Sequence, residues 1–144
     1  MSCGNRNRYA KSCVRSFNDA PQVVTEDPTV LAIEGTPVVK SGCSLALNPS
    51  SISIMNSGLY RFAADVVFTP SAAGDTLIQL YKDGVPLPCA KAQDTSEADN
   101  TFTTHIETDL DIALCCGGCS SITVVISGCA GTVNHLCAGA IKNA

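Results

Sequence analysis

The chain has 144 residues, of which 45% are hydrophobic and only 15% are charged, and its net charge is −4. This length suits one domain with a core of its own, and the negative charge does not favour binding to nucleic acid or to an anionic membrane surface. No apolar run reaches the ~18 residues of a membrane-spanning helix, and the first residues do not open a signal peptide. The low charged fraction favours burial of apolar surface against partners.

Residues 1–20 show no sustained hydrophobic period and are predicted to form an N-terminal arm, followed by one domain at residues 21–144. The arm holds four basic residues before the first acidic one: Arg6, Arg8, Lys11 and Arg15. The rest of the chain has five basic and thirteen acidic residues and therefore a net charge of −8. The arm is therefore predicted to dock onto an acidic neighbouring subunit or a particle, with Val14 and Phe17 as candidate anchors. Contact with nucleic acid is the less favoured alternative, because four charges make a small patch.

Short apolar segments follow from Gln22 onward, separated by proline and glycine at intervals of about eight residues. Proline has no backbone N–H to donate to a neighbouring strand, so the prolines between these segments mark strand starts, edges or corners. This spacing is typical of a β-sandwich.

The segment Gly58–Val85 is predicted to supply the central strands. Five apolar residues share one face of its first strand, with a period of two residues: Tyr60, Phe62, Ala64, Val66 and Phe68. Arg61 and Asp65 fall on the other face. A second strand follows, and Asp83-Gly84 then supplies a hairpin turn.

The C-terminal half is predicted to hold an edge strand, an exposed loop around Asp94–Asn100 and three further strands. The first of these three has Phe102, Ile106 and Leu110 inward, and four residues point outward: Thr103, His105, Glu107 and Asp109. Residues 114–119 read as a turn. With eight to ten strands and no helix, the sequence predicts a single-domain, all-β, antiparallel jelly-roll sandwich.

The order of a Gly-x-Tyr-x-Phe strand, a short loop and an apolar strand closed by Lys-Asp-Gly-Val resembles the jelly-roll heads of the tumour necrosis factor (TNF) and complement-q superfamily. It is similar above all to small cysteine-rich heads of Firmicutes phage structural proteins and spore surfaces. The resemblance spans Thr29 to the C-terminus and implies a homotrimer, assembled through aromatic or aliphatic residues of one sheet face. The final strand, HLCAGAIKNA, departs from the family's aromatic-rich pattern, and residues 1–28 contain no collagen-like Gly-x-y repeat.

Nine cysteines form the main chemical feature of the sequence: Cys3, Cys13, Cys43, Cys89, Cys115, Cys116, Cys119, Cys129 and Cys137. The favoured interpretation is that they oxidise after release and staple strands or subunits, with Cys3 or Cys13 as the candidate for an intersubunit bond. Because nine is odd, one thiol stays free or one bond crosses between subunits.

Two alternatives remain for the cysteines. Thiols at Cys43, Cys129 and Cys137 can serve as small core side chains. Cys116 and Cys119 have the spacing of half a zinc site, but the sequence lacks a second pair, so metal binding is the weakest interpretation. No metal or other cofactor is expected.

Catalytic motifs are absent from the sequence, which has no nucleophile elbow, phosphate-binding loop or nucleotide fingerprint. His105, close to Glu107 and Asp109, is interpreted as an exposed strand residue. The acidic stretches at residues 97–99 and 107–111 lack the spacing of a calcium loop and are expected to form a solvated edge. We therefore expect a protein that is not an enzyme.

The sequence favours a structural protein on a phage particle, a capsid decoration or fibre subunit, made in the bacterial cytoplasm and released by lysis. Its expected partners are further copies of itself, capsid or other particle proteins and, for an adhesive head, a host-surface ligand. The alternative is a spore-surface or appendage subunit, cross-linked through cysteines.

Overall fold

The computed structural model describes residues 11–115 and 118–143, and the regular elements in these residues are all β-strands. The twelve strands, slightly more than predicted, are β1 (Cys13–Asn18), β2 (Gln22–Val24), β3 (Thr29–Val30), β4 (Thr36–Ser41), β5 (Leu45–Leu47), β6 (Ile52–Ile54), β7 (Gly58–Pro70), β8 (Gly74–Lys82), β9 (Val85–Ser96), β10 (Phe102–Ile112), β11 (Ser120–Ser127) and β12 (Gly131–Lys142). No helix in these residues is long and apolar enough to cross a membrane.

The strands form two antiparallel sheets. Sheet I has the order β10-β7-β12-β1-β4, and β2 also pairs with β12. Sheet II has the order β5-β6-β11-β8-β9, and β3 also pairs with β11. Apolar side chains from both sheets form one buried cluster between them, so the predicted all-β antiparallel sandwich is confirmed.

Strand β7 supplies the centre of the core, as its two-residue period predicts. Its five inward side chains, from Tyr60 to Phe68, are each at most 1% exposed. β7 lies inside sheet I, because it pairs with β12 on one side and with β10 on the other. The predicted orientation of β10 is also confirmed: Ile106 and Ile112 are buried, whereas His105, Glu107 and Asp109 are exposed.

Strand β1 is the main difference from the predicted N-terminal arm. Residues 13–18 form an interior strand of sheet I, between β12 and β4. Its buried inward residues are Val14 and Ser16, and the Ser16 hydroxyl accepts a hydrogen bond from the Gly35 amide at 3.2 Å. Because one of the two inward residues is polar, the segment lacks the apolar alternation that identifies a strand in a sequence.

Strand β9 is an edge strand of sheet II, as predicted. It is longer than the sequence suggested and runs to Ser96, so Asp94 belongs to the strand and not to the loop. The Asp94 carboxylate accepts a hydrogen bond from the Thr104 hydroxyl at 2.7 Å, which ties β9 of sheet II to β10 of sheet I.

The hairpin between β8 and β9 turns at Asp83-Gly84, where both residues have positive φ, 51° and 80°. Asn and Asp tolerate this backbone conformation better than other side chains, and glycine adopts it freely. The Asp83 carboxylate accepts a hydrogen bond from the Ser121 amide at 2.9 Å. This bond, with a smaller contribution from Lys82, lowers the pKa of Asp83 below its usual range.

We expect the variant Asp83→Asn to remove a pH-dependent part of the stability. A carboxyl whose pKa is lowered on folding stabilises the protein above its unfolded pKa, about 3.9 for aspartate, and loses this contribution as the pH falls through its folded pKa. The stability difference between wild type and variant should therefore be present at neutral pH and should vanish in acid. Thermal unfolding across this range measures it, and a difference as large in acid as at neutral pH would contradict the assignment.

Candidate functional site

The outward surface of sheet I carries most of the ion pairs in the described residues. The strand register places three rows of side chains across β1, β12, β7 and β10. The rows are Cys13, Ile141, Arg61 and Asp109; Arg15, Gly139, Ala63 and Glu107; and Phe17, Cys137, Asp65 and His105. We call this surface, defined by these twelve residues, the outer face.

The middle row of the outer face contains a depression of about 360 Å³. Gly139 and Ala63 form its floor because they have little or no side chain, and Arg15, Arg61 and Glu107 are among the residues that surround it. A Cβ atom at Gly139 would lie 2.7 Å from the Val14 carbonyl oxygen and 3.2 Å from the Arg15 Cβ. The close approach of β1 therefore requires glycine at this position.

Asp65 lies at the centre of an ion-pair network on the outer face. Its Oδ1 atom is 2.6 Å from His105 Nδ1, and its Oδ2 atom is 3.7 Å from Arg15 Nη2. The other ring nitrogen of His105 is 3.7 Å from a Glu107 carboxylate oxygen. These contacts link β1, β7 and β10. The four side chains that make them are only partly buried.

Arg15 makes a further contact within the network. Its Nε donates a hydrogen bond to Cys137 Sγ at 3.1 Å. This hydrogen bond and the charge interaction with Cys137 raise the pKa of Arg15. Arg15 was predicted to dock the arm onto a partner, but it points from an interior strand into the outer face.

A second ion pair, Arg61 with Asp109, lies two rows from Asp65 and His105. Arg61 donates from Nε and Nη2 to the two carboxylate oxygens of Asp109, at 2.9 and 3.4 Å. These hydrogen bonds lower the pKa of Asp109 and raise the pKa of Arg61. The bidentate geometry fixes the Arg61 side chain, which lines the depression, against Asp109.

The second histidine of the chain lies beside the same rows. His135, on β12, pairs through Nδ1 with the carboxylate of Asp19. Its ring also stacks on Phe17, with a centroid distance of 6.0 Å. Both histidines of the chain are thus paired with carboxylates on the same side of sheet I.

The cysteines are spread over the fold. Cys13 and Cys137 are partly buried free thiols on the outer face, Cys89 and Cys119 are exposed free thiols, and Cys129 is a buried thiol that donates a hydrogen bond to the Ala72 carbonyl oxygen at 3.1 Å. The buried position of Cys129 agrees with its interpretation as a core side chain.

The remaining cysteine predictions are not resolved by these positions. Cys43 is not a free thiol. Cys3 and Cys116 lie outside the described residues. The pairing of cysteines and the weak zinc site at Cys116 and Cys119 stay predictions. In the part of the chain that the structure describes, no three side chains are grouped as metal ligands.

The predicted docking residues are not all part of one arm. Arg6 and Arg8 lie outside the described residues, and Lys11 is exposed just before β1. The sequence placed Arg61, Asp65, His105, Glu107 and Asp109 on outward faces, but it did not show that they meet. Their pairing depends on register between distant strands, for which no local sequence signal exists.

The outer face offers charged groups, hydrogen-bond donors and a shallow apolar floor. Cys137 Sγ accepts a hydrogen bond from Arg15, and the two ring nitrogens of His105 lie near the carboxylates of Asp65 and Glu107. Such an arrangement suits a contact with another surface, in which paired charges give specificity.

Comparison with known proteins gives similarity of fold alone. The sequence matches no family model and no curated protein. Among solved structures, murine APRIL at pH 5.0 has a TM-score of 0.62 at 16% identity, over 92% of this chain and 99% of that chain. The PRD1 vertex protein P5 has a TM-score of 0.60 at 11% identity, over 91% and 95%.

A third solved structure, Eiger TNF from S. frugiperda, has a TM-score of 0.60 at 10% identity, over 93% of this chain and 92% of that chain. These similarities extend over nearly the whole of each chain, although the identities are low. The chain therefore has the TNF-like jelly-roll fold that the sequence predicts.

Proposed function

We propose that this protein is a non-enzymatic structural protein that forms a trimeric head on the surface of a phage particle, as a capsid decoration or fibre subunit. The observation that carries the proposal is the similarity to the PRD1 vertex protein P5, which extends over 91% of this chain and 95% of that protein. Its name assigns that neighbour to a vertex, a structural position. Because one fold serves many functions, the arrangement of this chain's own residues must support the same role.

The outer face is the surface that we assign to self-assembly. Ile141 and Val39, which both contact the depression, are 49% and 41% exposed. Apolar side chains grouped on a sheet face are typical of an interface between subunits. The resemblance to the TNF and complement-q heads implies a trimer formed through one sheet face, and here that face carries ion pairs beside its apolar groups.

The two ends of sheet I support separate roles in attachment and display. β1 and β7 begin at the same end of sheet I, on either side of β12. At this end the Lys142 amide donates to the Ser12 carbonyl oxygen, and the Asn143 amide donates to the Leu59 carbonyl oxygen. The loop at residues 97–100 lies at the opposite end, where the Asp99 amide bonds to the Pro70 carbonyl oxygen. With about 3.3 Å per strand residue, the 13 residues of β7 separate these ends by roughly 40 Å. The basic arm can attach to the particle while the acidic loop faces outward.

Removal of residues 2–11 is expected to abolish attachment to the particle without unfolding the head. Since β1 begins at Cys13, this deletion keeps every described strand of sheet I, whereas removal of residues 1–20 would delete an interior strand. Mass spectrometry of purified phage particles should detect the full chain and not the truncated one. As a matched control at the opposite end, the double variant Glu97→Gln, Asp99→Asn should still attach. Full attachment of the truncated chain would refute the role of the arm, and absence of the full chain from particles would refute the proposed function.

A further inference from the structure

The charges on and around the outer face are not balanced. Three basic side chains lie on it or at its margin: Lys11, Arg15 and Arg61. Five acidic side chains lie on it or at its margin: Asp19, Asp65, Glu107, Asp109 and Asp111. Counted over the described residues and with neutral histidines, this surface therefore carries a net charge of −2. The neighbouring edge strand β4 adds only Lys40, which is in register with the inward Val14.

Both histidines of the chain lie among these acidic groups. His105 contacts Asp65 on β7 and Glu107 on its own strand, and Arg15 of β1 reaches the same Asp65. Protonation of His105 would thus add a positive charge between two carboxylates.

His135 has a simpler surrounding. It contacts the Asp19 carboxylate and the Phe17 ring, and its register partner on β7, Val67, is uncharged. The nearest other titratable group on its strand is the Cys137 thiol, which is hydrogen-bonded to Arg15. Protonation of His135 would add the second positive charge, and the two charges together would cancel the −2 of the surface.

We infer that protonation of His105 and His135 strengthens the association of this chain with further copies of itself through the outer face. This inference rests on the self-assembly proposed above. Histidine is the side chain whose charge ordinarily changes between pH 5 and 8. When two copies meet through this face, each face has a net charge of −2 with neutral histidines. The net charge of each face is about zero once both histidines are charged. Like charges at an interface oppose association, and the opposition weakens with salt.

Sedimentation of the full chain at pH 8.0 and pH 5.5, at the same low ionic strength, tests the inference. Exposed charge pairs contribute up to about 1 kcal/mol each, so we expect the Kd for association to fall about tenfold at the lower pH. The variant His105→Asn, His135→Asn should lose this pH dependence. The variant Glu107→Gln, Asp111→Asn lowers the negative charge of the face permanently and should associate at pH 8.0 as tightly as the wild type does at pH 5.5.

A matched control separates the face from the whole molecule. Glu97→Gln, Asp99→Asn changes the net charge by the same amount, but both residues lie in the loop between β9 and β10. This control should behave as wild type, and an equal gain in association at pH 8.0 would overturn the inference. If the oligomer does not dissociate at the lowest measurable concentration, the rate of exchange of labelled subunits is measured in place of the Kd. This exchange rate should be lower at pH 5.5 than at pH 8.0.

The outcomes distinguish the two proposals. Association that does not change between the two pH values, or that weakens in acid, would refute the role of the histidines and leave self-assembly standing. A monomer at both pH values would refute self-assembly and this inference together. Stronger association in acid that persists in the double histidine variant would show that other groups are responsible.

Discussion

Replacement of Phe68 by alanine is expected to destabilise the protein by about 3–5 kcal/mol, the usual cost of removing a buried phenylalanine ring. Phe68 is fully buried on β7, and its ring meets that of Phe102 edge-on, with centroids 5.8 Å apart. The ring also lies against Gly131, where an added Cβ would come within 2.6 Å of Phe68 Cζ. Because the ring touches both β10 and β12, its loss would leave a cavity between three strands. Since domains are stable by about 5–15 kcal/mol, the variant should lose a large fraction of its free energy of unfolding.

Chemical unfolding followed by circular dichroism measures this effect, since the chain has no tryptophan to report by fluorescence. Protein concentration must be held constant, because association of folded copies adds apparent stability. Leu59→Ala is the matched control, because Leu59 lies on the same strand but is 40% exposed. We expect it to cost less than about 1 kcal/mol, and equal losses for the two variants would contradict the assignment of the core.

Gly128→Ala is expected to destabilise the protein by clearly more than Gly84→Ala. Both glycines have positive φ, 93° and 80°, so both substitutions place an L side chain in a strained backbone conformation that costs roughly 1–2 kcal/mol. At Gly128 the new Cβ would also lie 2.2 Å from the Asp75 carbonyl oxygen, whereas at Gly84 no atom lies within 4 Å. The difference between the variants isolates the steric clash, because the backbone strain is common to both.

The same unfolding measurement compares the two glycine variants. The Gly128 amide donates to the Glu26 carbonyl oxygen at 2.8 Å, so a shift of the backbone to relieve the clash would also weaken this bond. We expect the loss at Gly128 to exceed the loss at Gly84 by at least about 1 kcal/mol. Equal losses would show that the turn between β11 and β12 moves freely away from β8.

The polar character of the outer face bears on the self-assembly that we propose. A purely aromatic or aliphatic face associates through apolar area, whereas fixed ion pairs such as Arg61–Asp109 favour a partner of complementary charge. Under the self-assembly that we propose, an interface built in this way would be selective and would respond to salt and to pH.

Local sequence patterns specify the inward faces of β7 and β10 and the hairpin turn at Asp83-Gly84. Each of these depends on neighbouring residues: the two-residue period fixes which side chains share a face, and a positive-φ turn requires Asp-Gly or a similar pair. The all-β class follows from the same local patterns, because no segment has a helical period. The exposed position of His105 was also fixed in this way.

The pairing of the strands and their register depend instead on contacts between residues that are distant in the chain. The tertiary structure placed β1 inside sheet I, where Ser16 is buried by contacts with residues 33–36, which are distant in sequence. It also brought His105 to Asp65, forty residues away. A one-residue change in register would move every side chain of a strand to the opposite face, and no local pattern in the sequence specifies that register. The ion-pair network of the outer face therefore exists only in the folded chain.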